Sequence, residues 1–255
     1  MEQKTDNLAV VFGAAGGIAR ELAKLLAGRG MRLALVDIDE ERLADARAAI
    51  GDRVAGCYRA DVTAEPHLPP LAERIGIECG PSSLLIISVG WLGPLGRTSW
   101  EYSRDEWERV FAVNLFGPIS CVRAFLPSME AAGGDRRIVI LSSLGAMYAS
   151  PRLGAYAAAK RALVSFAETL QLELAERGAE IGVSVVCPGS VPTELNLPLR
   201  QARGELRPAS GEWLEAPEVA QRIVESLDSG QFYVFTHPSS RSRYESYRDR
   251  IMAAF

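Results

Sequence analysis

The sequence predicts an α/β fold, a doubly wound parallel sheet of about seven strands with helices on both faces in three α/β/α layers. Three observations predict it. Short apolar runs alternate with stretches of helical spacing along most of the chain. A glycine-rich turn, Gly13-Ala14-Ala15-Gly16-Gly17, stands between the first apolar run and the first helical stretch. The 255 residues, 48% hydrophobic and 24% charged, have the balance of a globular domain and the length for one large core.

The first strand is Leu8-Ala9-Val10-Val11-Phe12. After the glycine turn, residues 18–27 carry apolar side chains at helical spacing, which completes a strand, turn and helix. The unit repeats: residues 32–37 are strand-like, and 39–50 form a charged amphipathic helix with Asp39 as its N-cap. Residues 54–60 give a third strand. Further strands are expected at 83–89, 137–141 and 182–187, separated by long helical patterns at 103–129 and 155–177. Strands joined through helices pair in parallel, because the connection must return the chain to the starting edge. No repeat, low-complexity stretch or linker interrupts the pattern before about residue 188, so one domain is expected over residues 1–255. From 191 to 217 the organisation changes. Pro192, Pro198, Pro208 and Pro217, with Gly204 and Gly211, exclude a long helix, and this stretch is expected to form a lid over a site. A helix at 217–227, a last strand at 231–236 and a charged tail of helical spacing at 241–255 follow.

Composition excludes several classes of function. The net charge of −4 and the absence of a dense Lys/Arg cluster argue against nucleic acid. The polar start, Met1 to Asn7, is unlike a secretory signal, and no apolar run has the length of a membrane span, so a soluble cytoplasmic protein is expected. Cys57, Cys79, Cys121 and Cys187 are far apart, and only His67 and His237 offer imidazole, so neither a disulfide framework nor a metal site is expected.

The chemistry concentrates in two places. At Gly13, Gly16 and Gly17, with Ile18 opening the helix, the backbone can approach a pyrophosphate and the helix N-terminus favours its charge. Asp37 ends the second strand about 20 residues further on, where a carboxylate can accept from both hydroxyls of an adenosine ribose and would repel a 2′-phosphate. With no Arg or Lys at 14–16 or 38, NAD is expected rather than NADP. Tyr156 and Lys160 are four residues apart at the start of a long helix, on one face. A tyrosine titrates near 10 in water, so exchanging protons near neutral pH calls for a positive charge beside it, which Lys160 supplies.

Gly13-x-x-x-Gly17, Asp61-Val62, Val113-Asn114, Ser142-Ser143, Tyr156-x-x-x-Lys160 and Pro188-Gly189-Ser190-Val191-Pro192-Thr193 stand in the order and spacing of the short-chain dehydrogenases/reductases. The chain resembles the compact branch of that family over about residues 8–236, which implies a Rossmann-like fold. Ser143 precedes Tyr156 by 13 positions, the family's usual offset. The resemblance implies a tetrad: Tyr156 as acid/base, Ser143 bonding the substrate oxygen, Lys160 binding the nicotinamide ribose and lowering the Tyr156 pKa, and Asn114 holding a water. It also implies cofactor contacts at Gly13, Gly16, Gly17, Ile18, Asp37, Asp61, Val62, Ser88, Val89, Gly90, Tyr156, Lys160, Pro188, Gly189, Val191 and Thr193, the last on the nicotinamide carboxamide. Three positions depart from the family. Phe12 stands where Thr is usual, Ala19 replaces the third glycine, and Ile87-Ser88-Val89-Gly90 replaces N-N-A-G.

By the same resemblance, Ser143, Leu144, Gly145, Leu153 and Tyr156 would touch substrate, within surroundings that include Trp91, Leu92, Met147 and residues 191–199. This lining is mostly apolar and has nothing to pair with a carboxylate or phosphate, so an uncharged, bulky secondary alcohol or ketone is expected. Arg200, Arg203 and Arg207 would reverse that preference if they pointed inward. A homo-oligomer, dimer or tetramer, is implied through the two long helices, with Ala157, Ala158, Ala162, Leu163, Phe166 and Leu170 as a contact face. Two other functions fit the same fold: an NADP-dependent ketone reductase and a non-catalytic NAD(H)-binding regulator. His237 is expected to be a strand-end turn residue.

Overall fold

The structure, a computed structural model, describes residues 7–197 and 212–255. The sequence expectations at Pro198, Leu199, Arg200, Arg203, Gly204, Arg207, Pro208 and Gly211 lie outside the described residues.

The elements follow in the order β1 (Leu8–Phe12), α1 (Gly17–Gly28), β2 (Arg32–Asp37), α2 (Glu40–Ile50), β3 (Val54–Arg59), α3 (Leu68–Cys79), β4 (Ser82–Ile87), α4 (Arg104–Phe111), α5 (Gly117–Ala132), β5 (Arg136–Leu141), α6 (Gly154–Glu176), β6 (Ile181–Cys187), α7 (Ala216–Ser229), β7 (Tyr233–Phe235) and α8 (Arg241–Met252). The strands form one seven-stranded sheet in the order β3-β2-β1-β4-β5-β6-β7. Every pairing is parallel. The order reverses between β1 and β4, and a crevice opens at the carboxyl ends of the strands there.

The central strands are apolar on both faces because both faces are covered. All five residues of β1 are buried. One face carries α1, α2 and α7, whose Leu22, Leu26, Leu43, Val219 and Ile223 pack on Val11, Leu35 and Ile86. The other carries α3, α5 and α6, with Ile75, Val122, Phe125 and Leu163 against Val10, Leu85 and Ile140. Full burial of each such side chain contributes about 1.5–3 kcal/mol. At the departures from the family, Phe12 fills its place by packing edge-on against Phe125, ring centroids 5.6 Å apart, and Ser88 N–H still bonds the Phe12 carbonyl at 3.0 Å. Ala19 is fully buried.

Local signals set the element ends. Asp39 Oδ1 accepts from Arg42 N–H and caps α2 as expected, and Ser103 with Glu106 forms a capping box at α4. The helix expected at 103–129 is α4 and α5 joined by a π turn, Ala112–Phe116. Pro118 has no N–H to offer the Asn114 carbonyl, so the regular ladder breaks there. Taken together, residues 104–132 are long and apolar enough to cross a membrane by length and composition. In this fold the stretch packs into the core through Leu115, Cys121, Val122, Phe125 and Met129. The helix face named for self-association divides. Leu163 and Leu170 are spent on the chain's own core, whereas Ala158 is exposed and Ala157, Ala162 and Phe166 are half-buried.

Candidate active site

The crevice has two ends. At the β2 end the turn after β1 is drawn tight: Gly13 and Ala14 N–H groups both bond the Val36 carbonyl. Gly13 has φ +73°, and a Cβ there would lie 2.5 Å from the Ser88 carbonyl oxygen, so only glycine fits. A Cβ on Gly17 would meet Thr193 Cγ2 at 2.7 Å, which ties the start of α1 to the segment after β6. Asp37 accepts from Ala15 N–H at 2.9 Å through Oδ2 and from Asp39 N–H at 3.1 Å through Oδ1. Each oxygen keeps a free lone pair, and Asp37 lines the crevice. Gly13, Gly16, Gly17, Ile18, Asp37, Asp61, Val62, Ser88, Val89, Gly90 and Thr193 line this end. Asp61 Oδ1 is engaged by both Thr63 N–H and Thr63 Oγ1, and Val62 packs against Gly117.

The sequence pattern did not mark Arg42. It reaches back from the first turn of α2 to donate to the Ala15 carbonyl at 2.9 Å and to pair with Glu194 at 2.9 Å, so a guanidinium does line the crevice beside Asp37. No Arg or Lys stands at 14–16 or 38, yet the chain brings a basic group to that end by folding rather than by adjacency, and it arrives already paired.

At the far end, between β4, β5 and α6, the polar groups are buried. Lys160 Nζ donates to the Val89 and Leu141 carbonyls, each at 3.0 Å, and lies 5.9 Å from the centre of the Tyr156 ring. Ser142 Oγ bonds the Lys160 carbonyl at 2.9 Å and fixes the helix against β5. Ser143 Oγ accepts from Gly145 N–H at 3.0 Å, and its hydroxyl stands near enough to the Tyr156 phenol to favour the ionised form. Asn114, on the π turn, is fully buried; Nδ2 donates to the Trp91 and Val110 carbonyls and Oδ1 accepts from Trp91 N–H. Its amide hydrogens are thus committed to backbone, which leaves one Oδ1 lone pair for the expected water. A Cβ on Gly90 would lie 3.4 Å from that Oδ1 and 3.7 Å from Lys160 Nζ.

Burial sets the proton affinities here. It pushes the Tyr156 phenol up to about 12, with the Ser143 hydroxyl opposing, and pushes Lys160 down to about 7. The expectation that the Lys160 charge leaves Tyr156 with a lowered pKa is not met in this arrangement, because desolvation acts on both groups and favours the neutral forms. Cys187, behind Lys160, is likewise raised by burial, to about 12.

Ser143, Leu144, Gly145, Leu153, Tyr156 and Lys160 line one cavity together with Pro188, Gly189, Leu92 and Thr193. Three expected positions lie elsewhere. Val191 is buried in the core beneath the turn, its carbonyl taking the Thr193 N–H. Trp91 lines the cofactor end with Arg109 stacked 4.8 Å from its ring centre, and Met147 faces a surface depression near α8. Asn196 and Trp213, in the stretch expected to form the lid, line the cavity too, whereas Tyr148 and Ser150 were not expected there. The only signal for those two is nearness in sequence to Ser143. Among the described residues, Lys160 is the one charged group in this lining.

The family model described as short chain dehydrogenase matches residues 7–204. A 1-deoxy-11-beta-hydroxypentalenate dehydrogenase of Streptomyces exfoliatus is 32% identical over 248 residues, covering 95% of this chain and 87% of that protein. A CLA biosynthesis dehydrogenase/reductase of Lactiplantibacillus plantarum is 27% identical over 276 residues, covering 99% and 95%. Among solved structures, a short chain dehydrogenase/reductase from Burkholderia phymatum in complex with NAD superposes with a TM-score of 0.85 at 31% identity, covering 100% of this chain and 97% of that one.

Proposed function

The chain belongs to the short-chain dehydrogenase/reductase family, oxidoreductases that act on hydroxy or keto groups with a nicotinamide cofactor, and from that premise we propose that it uses NAD to interconvert an uncharged, bulky secondary alcohol and its ketone, with Tyr156 as acid/base. The observation that carries this reading is the meeting of Tyr156, Ser143 and Lys160 at one end of a crevice whose other end holds Asp37 over a glycine turn.

The residues fit a dinucleotide. Only glycine lets the turn at Gly13 and Gly17 pack this closely on Ser88 and Thr193, which leaves its backbone at the mouth of the crevice for a pyrophosphate, and Asp37 has an acceptor on each oxygen for a ribose diol. Arg42 is answered by Glu194 and Asp37 stands beside it, which favours a ribose without a 2′-phosphate. The NAD-bound relative from Burkholderia phymatum adds support. When bound, the nicotinamide supplies the hydride donor or acceptor. The protein's part is to move a proton and hold the oxygen still. Tyr156, a neutral phenol, gives its proton to the carbonyl oxygen during reduction and recovers it from the alcohol during oxidation. Ser143 donates to the same oxygen. Lys160, anchored on two carbonyls, fixes the face of α6 from which Tyr156 projects.

The substrate class follows from Leu92, Leu144, Leu153, Leu195 and Trp213, which offer an apolar wall with Ser150, Tyr148 and Asn196 as uncharged polar points. A charged substrate group would find no partner among them. The Streptomyces relative, named as a hydroxypentalenate dehydrogenase, supports chemistry at a hydroxy group, although the carboxylate in that name has no counterpart cation in this lining beyond Lys160 among the described residues. Calorimetric titration with NAD(H) and NADP(H) tests the cofactor half without knowledge of the substrate. Tighter NAD(H) binding is expected. Tighter NADP(H) binding would overturn the Asp37 assignment, and binding of neither would favour a non-catalytic role.

A further inference from the structure

His237 follows β7 and is fully buried, yet it bonds directly to the turn that lines the reaction end. Its Nδ1 accepts from Gly189 N–H at 2.9 Å, with Thr236 Oγ1 also 2.9 Å away. A backbone N–H only donates, so Nδ1 carries no proton and Nε2 must. That Nε2–H donates to the Ser190 carbonyl at 3.2 Å. One imidazole thus grips both Gly189 and Ser190. From the opposite side, Leu144 N–H bonds the Pro188 carbonyl at 2.8 Å, which links the same turn to the loop that carries Ser143.

We infer that His237 is a positioning residue: its neutral form, acceptor at Nδ1 and donor at Nε2, holds residues 188–193 against the reaction end of the crevice, and its protonation releases them. The inference rests on the reading of this turn as the nicotinamide-facing wall. A proton taken from solvent at Nδ1 places an N–H against the Gly189 N–H; two donors cannot bond, so the turn or the ring must move. The charged groups facing the ring are Glu212, which precedes α7, and Glu218 and Arg222 on α7, while residues 188–193 contribute none. Burial, the largest influence, holds His237 below the usual imidazole range. The sign follows: the unfolded or released ring binds a proton more readily, so the grip is complete above the ordinary imidazole value and is lost as pH falls through the lowered one.

The test measures the Kd of NADH by fluorescence titration from about pH 8 to about pH 5, with hydrogen exchange of residues 188–193 corrected for intrinsic pH dependence, in wild type, His237→Asn and His237→Gln. Asn places an amide oxygen where Nδ1 sits, whereas Gln extends beyond it. In wild type, affinity should fall about tenfold on acidification, in step with faster exchange of the turn. His237→Asn should keep the neutral-pH Kd within about threefold and abolish the acid step, and His237→Gln should bind weakly throughout. An acid step that survives in His237→Asn, or no step in wild type, overturns the proposal. A step in exchange without one in affinity also overturns it, and locates the failure in the assignment of the turn to the cofactor.

Discussion

At the Asp37 end of the crevice the chain presents a glycine turn and a partly exposed carboxylate; at the Tyr156 end it buries a phenol, a lysine amine and an amide. The first end is built to be met by a polar partner, since Asp37 keeps lone pairs and Arg42 and Glu194 remain half in solvent. The second is built to withhold solvent, and burial governs the proton affinities there. Recognition of a ribose needs geometry that water can share. Proton transfer to one oxygen needs groups whose protons go nowhere else.

The largest expected effect separates the two ends. Tyr156→Phe removes the proton donor while leaving the ring that packs beside Lys160, so turnover should fall about a hundred- to ten-thousandfold with the NADH Kd within about threefold. Equal losses in both would show that the ends are not separable. Gly13→Ala attacks the first end through the backbone. Its Cβ would meet the Ser88 carbonyl oxygen and carbon at 2.5 and 2.8 Å, neither of which is a flexible side chain, at a φ of +73°. Stability should drop by about 2–4 kcal/mol and NADH affinity with it, measured by thermal unfolding and titration. A variant of unchanged stability would mean that the turn has more room than its contacts imply.

The buried end has its own signature in pH. Lys160 in the folded protein sits at about 7, below its ordinary 10.5. Between those values the unfolded chain holds a proton that the folded chain has lost, so stability rises with pH across that window, by up to about 1.4 kcal/mol per unit. Below about 7 both states are protonated and the burial cost of the charge stands in full. Relative to Lys160→Met, wild type should therefore gain stability steadily from about pH 7 to about pH 10 in urea unfolding. A flat difference would place the Lys160 ammonium in a far wetter setting than its two carbonyl bonds describe.

The sequence was legible wherever local pattern decides structure. β1, β2, β6 and α6 fall within a residue of their expected bounds, because apolar runs, the Asp39 cap and glycine punctuation act over a few neighbours. α3 escaped notice, since Pro66, Pro69 and Pro70 crowd its start and Gly76 interrupts its body, although proline is well tolerated in a first turn. The tetrad positions were legible as a spaced motif. What spacing does not carry is long-range pairing: Arg42 with Glu194, His237 with Gly189, and the turning of Met147 away from the cavity arise only when elements far apart in sequence are packed. The same limit explains the Tyr156 pKa. A motif places Lys160 beside the phenol, whereas the desolvation that dominates both groups belongs to the whole core.

The smallest effect bears on the more open end. Asp37→Ala removes two backbone bonds and a carboxylate that stands next to Arg42, so NADH should weaken and NADPH strengthen, the ratio of their Kd values narrowing by about tenfold. The gain for NADPH requires a cation, and Arg42 is the one beside Ala15, already shared with Glu194. Adding Arg42→Met to Asp37→Ala should therefore return NADPH toward its original affinity while changing NADH by less than about threefold. If the Asp37→Ala ratio narrows equally with and without Arg42, the discrimination comes from the carboxylate alone, and the guanidinium serves only to tie α2 to the segment after β6. If the ratio does not move, the ribose lies elsewhere, and the division of the crevice into a solvent-shared end and a buried end loses its first half.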